Sequence, residues 1–277
     1  MLVHARGVAE TDETLPDLMV RDELADFERR ELTLDARTKL VFVAGRGPAV
    51  IVMSEMPGIY AGVARFARRV RDAGFTVWMP QLFGEPGRPP TLGYGLRSMV
   101  RGCISREFRA FASDASSPVT AWLRALAAHV HPLCGGQGVG AIGMCFTGNF
   151  ALSMMIEPAV RAPVLSQPSL PIGRAGGMHI SPRELAQVRE RLEREDLVVR
   201  AYRFEGDPFC RAERFAAYRE ALGPRFEARV LPDSCARQGM PMRPHSVVTM
   251  HLIDRAGEPT RAALDEILAF FAERLRA

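Results

Sequence analysis

The chemistry of this chain concentrates first at Cys145. The run Ala141-Ile142-Gly143-Met144 is apolar and strand-like, Asn149 to Ile156 reads as a helix, and a thiol stands on the turn between them. Strand, sharp turn and helix together are how a nucleophile elbow presents a reactive side chain. Such a turn brings strand and helix nearly into contact, and Gly143 and Gly148 supply the room. A thiol at a helix N-terminus is biased toward its thiolate, the reactive form. The adjacent Phe146 N–H is expected to line an oxyanion hole. The motif reads G-x-C-x-T-G, with Thr147 where the usual elbow carries glycine. The competing reading of Cys145 is a small buried hydrophobe, as many cysteines are.

Two more residue types complete a nucleophilic set. Asp207 follows the strand-like run Leu197 to Phe204, and His245 lies in a loop after the strand-like run Phe226 to Leu231. A carboxylate there could orient an imidazole and stabilise its charged form, although Gly206-Asp207-Pro208 is also ordinary turn chemistry. The order nucleophile, acid, base is the one α/β-hydrolases use. His251, between Met250 and Leu252, reads as part of a following helix or a packed surface, and His4, His129, His131 and His179 lack any such context. Glu55 comes directly after the apolar run 49–53 and before Pro57-Gly58, which aims it at the strand exits; a solvated loop charge is the alternative.

The elements that must position these groups alternate along the chain. Runs 31–35, 40–44, 49–53, 75–79, 139–143, 163–166, 197–204 and 226–231 read as strands. Segments 61–73, 117–129, 149–156, 182–194 and 259–276 carry helical spacing, and Gly74 ends the first of them. The fold class expected is α/β: an α/β-hydrolase fold with a mostly parallel central sheet and helices on both faces, its site at the carboxyl ends of the strands. Residues 1–26 are polar and read as a partly ordered N-terminal extension, leaving 27–277 as one hydrolase domain. The Pro- and Gly-rich stretch from Gln81 to about Leu96 reads as a loop suited to covering the site.

Composition excludes several classes. The 36 basic and 32 acidic residues are spread without a dense cationic block, so no nucleic-acid partner is expected. No apolar run reaches about 18 residues and no start-proximal segment has the form of a signal peptide, so the expectation is a soluble cytoplasmic protein with no membrane partner. The 5 cysteines are scattered, which favours reduced thiols over disulfides and gives no metal site.

From about Phe27 onward the chain resembles the dienelactone hydrolase family. The resemblance rests on Val52-Met53-Ser54-Glu55-Met56-Pro57-Gly58, the elbow at Cys145, Phe204-Glu205-Gly206-Asp207-Pro208-Phe209 and His245-Ser246, in that order. It implies an ester or lactone hydrolase with a Cys145-His245-Asp207 triad and no cofactor. It also implies that Glu55 contacts the nucleophile before substrate arrives and that Met56 donates the second oxyanion-hole N–H. Arg101 best matches one of the arginines that hold the family's substrate carboxylate, with Arg106 and Arg109 as alternatives, so an anionic small molecule is the expected partner. A second family arginine follows the His-Ser pair, where this chain reads Ser246-Val247-Val248-Thr249-Met250, and this argues against dienelactone itself as substrate. Two rival readings stand beside this one: a thiol acyltransferase on the same fold, and a non-catalytic protein that binds a small molecule or partner.

Overall fold

The structure, a computed structural model, describes residues 15–276. In chain order the elements are α1 (Leu15–Leu18), β1 (Glu28–Leu34), β2 (Arg37–Gly45), β3 (Ala49–Met53), α2 (Ala61–Asp72), β4 (Thr76–Pro80), α3 (Leu92–Ile104) and α4 (Val119–Cys134). They continue with β5 (Val139–Met144), α5 (Phe150–Met154), β6 (Val160–Ser166), α6 (Pro182–Arg194), β7 (Val199–Phe204), α7 (Ala212–Leu222), β8 (Phe226–Leu231) and α8 (Pro259–Leu275).

The strands form one sheet in the order β1-β2-β4-β3-β5-β6-β7-β8. β2 pairs antiparallel with both β1 and β4, and every other pairing is parallel. β3 and β5, at the centre, are buried at every position and read as continuous apolar runs because helices cover both faces of the sheet. One face packs under α2 and α8 through Val63, Phe66, Ile267 and Phe270. The other packs under α4 to α7 through Trp122, Leu126, Phe150, Val188 and Phe215. The expected α/β-hydrolase architecture is the one observed.

Register decides what meets at the carboxyl edge. Met53 pairs with Gly143 and Met144 with Ser166, so the exits of β3, β5 and β6 lie side by side. Phe204 pairs with Leu231, which puts the exit of β7 beside that of β8.

Three segments differ from the sequence reading. The loop expected up to about Leu96 ends at Thr91, before α3; Gly93 and Gly95 weaken the helical signal there, and Leu92, Leu96, Val100 and Ile104 face outward while Met99 and Cys103 pack on the core. α7 carries no clear apolar stripe along its sequence, yet Phe215 and Tyr218 are buried beneath it. Within the first 26 residues, Leu18 and Leu24 are buried in the α2 side of the core, and Arg68 of α2 pairs with Asp22 and Asp26. Residues 1–14 lie outside the described residues.

Candidate active site

Cys145 has φ 53°, in the left-handed region that side-chain-bearing residues rarely adopt. The fold enforces this through the two neighbouring glycines. A Cβ at Gly143 would sit 2.1 Å from the Thr147 carbonyl oxygen, and one at Gly148 would sit 2.5 Å from the Cα of Pro168. Thr147 fills its place without opening the turn because its hydroxyl is used. It accepts the Met144 N–H at 2.9 Å and lies 3.0 Å from the Met53 carbonyl and 3.2 Å from that of Ser54, bridging the exits of β5 and β3. The departure from glycine is therefore a polar tie between two strands.

Asp207 and His245 meet as the order of motifs predicts. His245 Nδ1–H donates to Asp207 Oδ2 at 2.7 Å, and Asp207 Oδ1 accepts the backbone N–H groups of Phe209 at 2.8 Å and Cys210 at 3.0 Å. Both side chains are buried. His245 Nε2 makes no aligned hydrogen bond, and Cys145 is the group it faces electrostatically. Burial opposes protonation of this imidazole, but negative charge on Cys145 and then Asp207 outweighs it and holds its pKa well above the usual histidine value. Phe209, half exposed, packs edge-on against the His245 ring at 5.2 Å.

His251 contributes in a way its sequence context did not suggest. It lies in a turn, outside any helix, and is packed in the interior. Its Nδ1 accepts the backbone N–H groups of Ser246 at 3.2 Å and His245 at 3.4 Å, and its Nε2–H donates to the Met242 carbonyl at 3.3 Å. Burial lowers its pKa, which keeps the ring in the neutral form this pattern requires. It templates the loop that carries His245. A histidine six residues after the candidate base was the available signal, but only the tertiary path of the loop shows which backbone groups it meets.

Glu55 is buried and fully engaged. Its carboxylate accepts from Tyr60 Oη at 2.6 Å, Ser246 Oγ at 2.7 Å, Gln167 Nε2 at 3.2 Å and the Thr249 hydroxyl. None of these bonds goes to Cys145, so the nucleophile contact implied by the family resemblance is not made in this arrangement. Hydroxyls from the His245 loop, those of Ser246 and Thr249, take its oxygens instead. Burial and then the Glu55 charge push the Tyr60 phenol well up, keeping it a donor.

Met56 follows Glu55 beyond the exit of β3, and Phe146 follows Cys145 on the elbow. Their side chains support α3: a Cβ at Gly102 would lie 2.3 Å from Met56 Cε and 3.5 Å from Phe146 Cζ. Phe83 and Phe108 pack on Phe146 with ring centroids 5.3 and 5.6 Å away. Beside this aromatic group opens a cavity of about 400 Å³, lined among others by Phe83, Arg88, Tyr94, Arg97, Arg101 and Gly102. Arg101 lines it, whereas Arg106 and Arg109 do not. Cys145 and His245 are not in the lining; Phe83 and Phe108, which are, pack on Phe146, the residue after Cys145. Gly84, Glu85 and Arg88 place the Pro-rich loop along the cavity wall.

The other buried thiol does not compete. Cys210 is buried, and burial followed by the Asp207 charge pushes its pKa well up, so it stays protonated. No cluster of His, Cys, Asp and Glu suited to a metal ion occurs among the described residues.

Strand order, elbow and site at the carboxyl edge define an α/β-hydrolase. The sequence profile of the dienelactone hydrolase family matches residues 36–173, and the chain belongs to that family. Solved structures agree on the fold. A protein assigned as a dienelactone hydrolase from Klebsiella pneumoniae subsp. pneumoniae MGH 78578 superimposes with a TM-score of 0.60 at 16% identity, covering 89% of this chain and 98% of that one. The dienelactone hydrolase-like promiscuous phosphotriesterase P91 from metagenomic libraries gives 0.60 at 18% identity, covering 91% and 100%. A cold-adapted esterase from an Arctic intertidal metagenomic library gives 0.54 at 13% identity, covering 93% and 98%. No curated protein sequence matches the chain. The protein is a hydrolase of the dienelactone hydrolase family.

Proposed function

We propose that this protein hydrolyses a carboxylic ester or lactone through Cys145, with His245 as acid and base and Asp207 as its orienting carboxylate. The observation that carries the reading is the His245 imidazole bonded to Asp207 at 2.7 Å on one nitrogen while its other nitrogen faces the strained elbow bearing Cys145.

The Cys145 thiolate attacks the carbonyl carbon, a C–S bond forms, and the C=O π pair moves onto oxygen, where the Phe146 and Met56 N–H groups stabilise it. Collapse of the tetrahedral species breaks the ester C–O bond, and the leaving alkoxide takes the proton from His245. Neutral His245 then draws a proton from water as it attacks the thioester. A second collapse breaks the C–S bond, expels the Cys145 thiolate, releases the carboxylic acid and restores the thiolate–imidazolium pair from which the cycle began. Thiolate attack suits activated esters such as enol lactones better than amides. Arg101, with Arg97 beside it in the cavity, suits a substrate that carries a carboxylate.

Hydrolysis of p-nitrophenyl acetate and a panel of lactones, compared with Cys145→Ala and His245→Ala, tests the reading. Loss of activity in both variants, with fold intact by circular dichroism, supports it. Activity that survives Cys145→Ala overturns it.

A further inference from the structure

The longest row of exposed apolar side chains among the described residues runs along α3. Leu92 is 89% exposed, Leu96 67%, Val100 51% and Ile104 75%. Recurring every fourth position, they stack down one side of the helix. Ser98 and Gly102, on the opposite side, are buried against the protein. A surface helix ordinarily turns its apolar stripe inward; here it faces out, and a contiguous apolar patch of this kind marks an interaction surface.

The charge around the stripe is of one sign. Between Glu85 and Glu107 the chain carries Arg88, Arg97, Arg101 and Arg106 and no acidic residue. Arg97, Arg101 and Arg106 are all exposed, and a 100° step per residue sets Arg97 and Arg101 along one flank of the stripe. An apolar helix face bordered by arginines is complementary to an anionic amphiphile surface: the aliphatic groups enter the acyl boundary and the guanidinium groups meet the head-groups. A second copy of the chain fits less well, because a two-fold pairing along α3 sets the same arginines against one another.

We propose that α3 docks this protein onto an anionic lipid surface. No helix among the described residues is long and apolar enough to cross a membrane, so α3 lies on the surface rather than through it. The same helix lines the cavity beside Phe146 through Arg97, Ser98, Arg101 and Gly102, so docking places the cavity mouth at the lipid boundary.

The test is sedimentation of the full-length protein with mixed phosphatidylglycerol–phosphatidylcholine vesicles and with phosphatidylcholine vesicles alone, at low and high salt. Expected is binding to the anionic vesicles that is several-fold weaker at high salt and on neutral vesicles. The double variant Leu96→Ser/Ile104→Ser is expected to lower binding about tenfold or more. Its melting temperature and its turnover of a water-soluble short ester stay unchanged. Cys145→Ala binds vesicles like the unaltered protein, so docking and the catalytic reading fail separately. Absence of binding to anionic vesicles overturns the proposal. So does light scattering that shows a dimer which the double variant dissociates while vesicle binding persists; the stripe then belongs to a second copy.

Discussion

Ser246 Oγ donates to Glu55 Oε2 at 2.7 Å, and this bond joins the exit of β3 to the loop that carries the imidazole. Thr249 adds a second tie from the same loop to the same carboxylate. The candidate oxyanion donor at Met56 and the candidate base at His245 are therefore fixed relative to one another through Glu55.

Glu55→Gln tests that coupling. An amide accepts through one oxygen only, so at least one of the four donors loses its partner, which costs about 1–3 kcal/mol for a buried group. The expected result is a melting temperature lower by several degrees, with kcat reduced and KM little changed. Unaltered stability and kcat in differential scanning calorimetry and steady-state assays reject the anchoring role.

Asp207→Asn separates orientation from folding. The asparagine Oδ1 can keep both backbone N–H bonds of the turn, while its amide N–H₂ can no longer accept from His245 Nδ1. Activity is expected to fall by about 10³–10⁴ with the fold retained, because the imidazole takes the wrong tautomer. A loss of tenfold or less removes Asp207 from the proposed mechanism.

Thr147→Gly restores the usual elbow pattern, and on this structure it weakens the protein. The buried Met144 N–H loses its acceptor, and the link between the exits of β3 and β5 is lost. Destabilisation of about 1–3 kcal/mol is expected in urea unfolding. A stabilised variant contradicts the assignment of this hydroxyl as a strand tie.

His245 gives a pH signature. Its folded pKa lies well above the value near 6.5 of an unfolded histidine, so between those values the folded state holds more protons than the unfolded state. The stabilisation from this group is complete below about pH 6.5 and falls as pH rises through the folded pKa. His245→Gln should flatten that decline in unfolding free energy measured from neutral to alkaline pH, and Cys145→Ala should reduce it. A decline unchanged in both variants places the responsible group elsewhere.

What the chain disclosed beforehand was local or ordered along it. The elbow was legible because Gly143, Cys145 and Gly148 act within a few residues, and the acid and base followed from their positions after apolar strands. α3 was hidden because Gly93 and Gly95 sit in a Pro-rich context and Leu92, Leu96, Val100 and Ile104 face outward, leaving only Met99 and Cys103 to pack on the core. The work of His251 and the saturation of Glu55 were hidden for another reason. Their partners come from segments separated by more than a hundred residues, or from backbone groups whose direction is set only when the loop has folded.

The grip of two main-chain N–H groups on Asp207 Oδ1 has a consequence for how such a site can diversify. The carboxylate takes its position from the turn 207–210 through Oδ1, and His245 is held on its other oxygen. Position 209 can therefore change its side chain while its amide goes on holding the acid. Phe209, half exposed and edge-on to the His245 ring, is where a substitution changes what lies beside the imidazole and leaves the grip on the acid untouched.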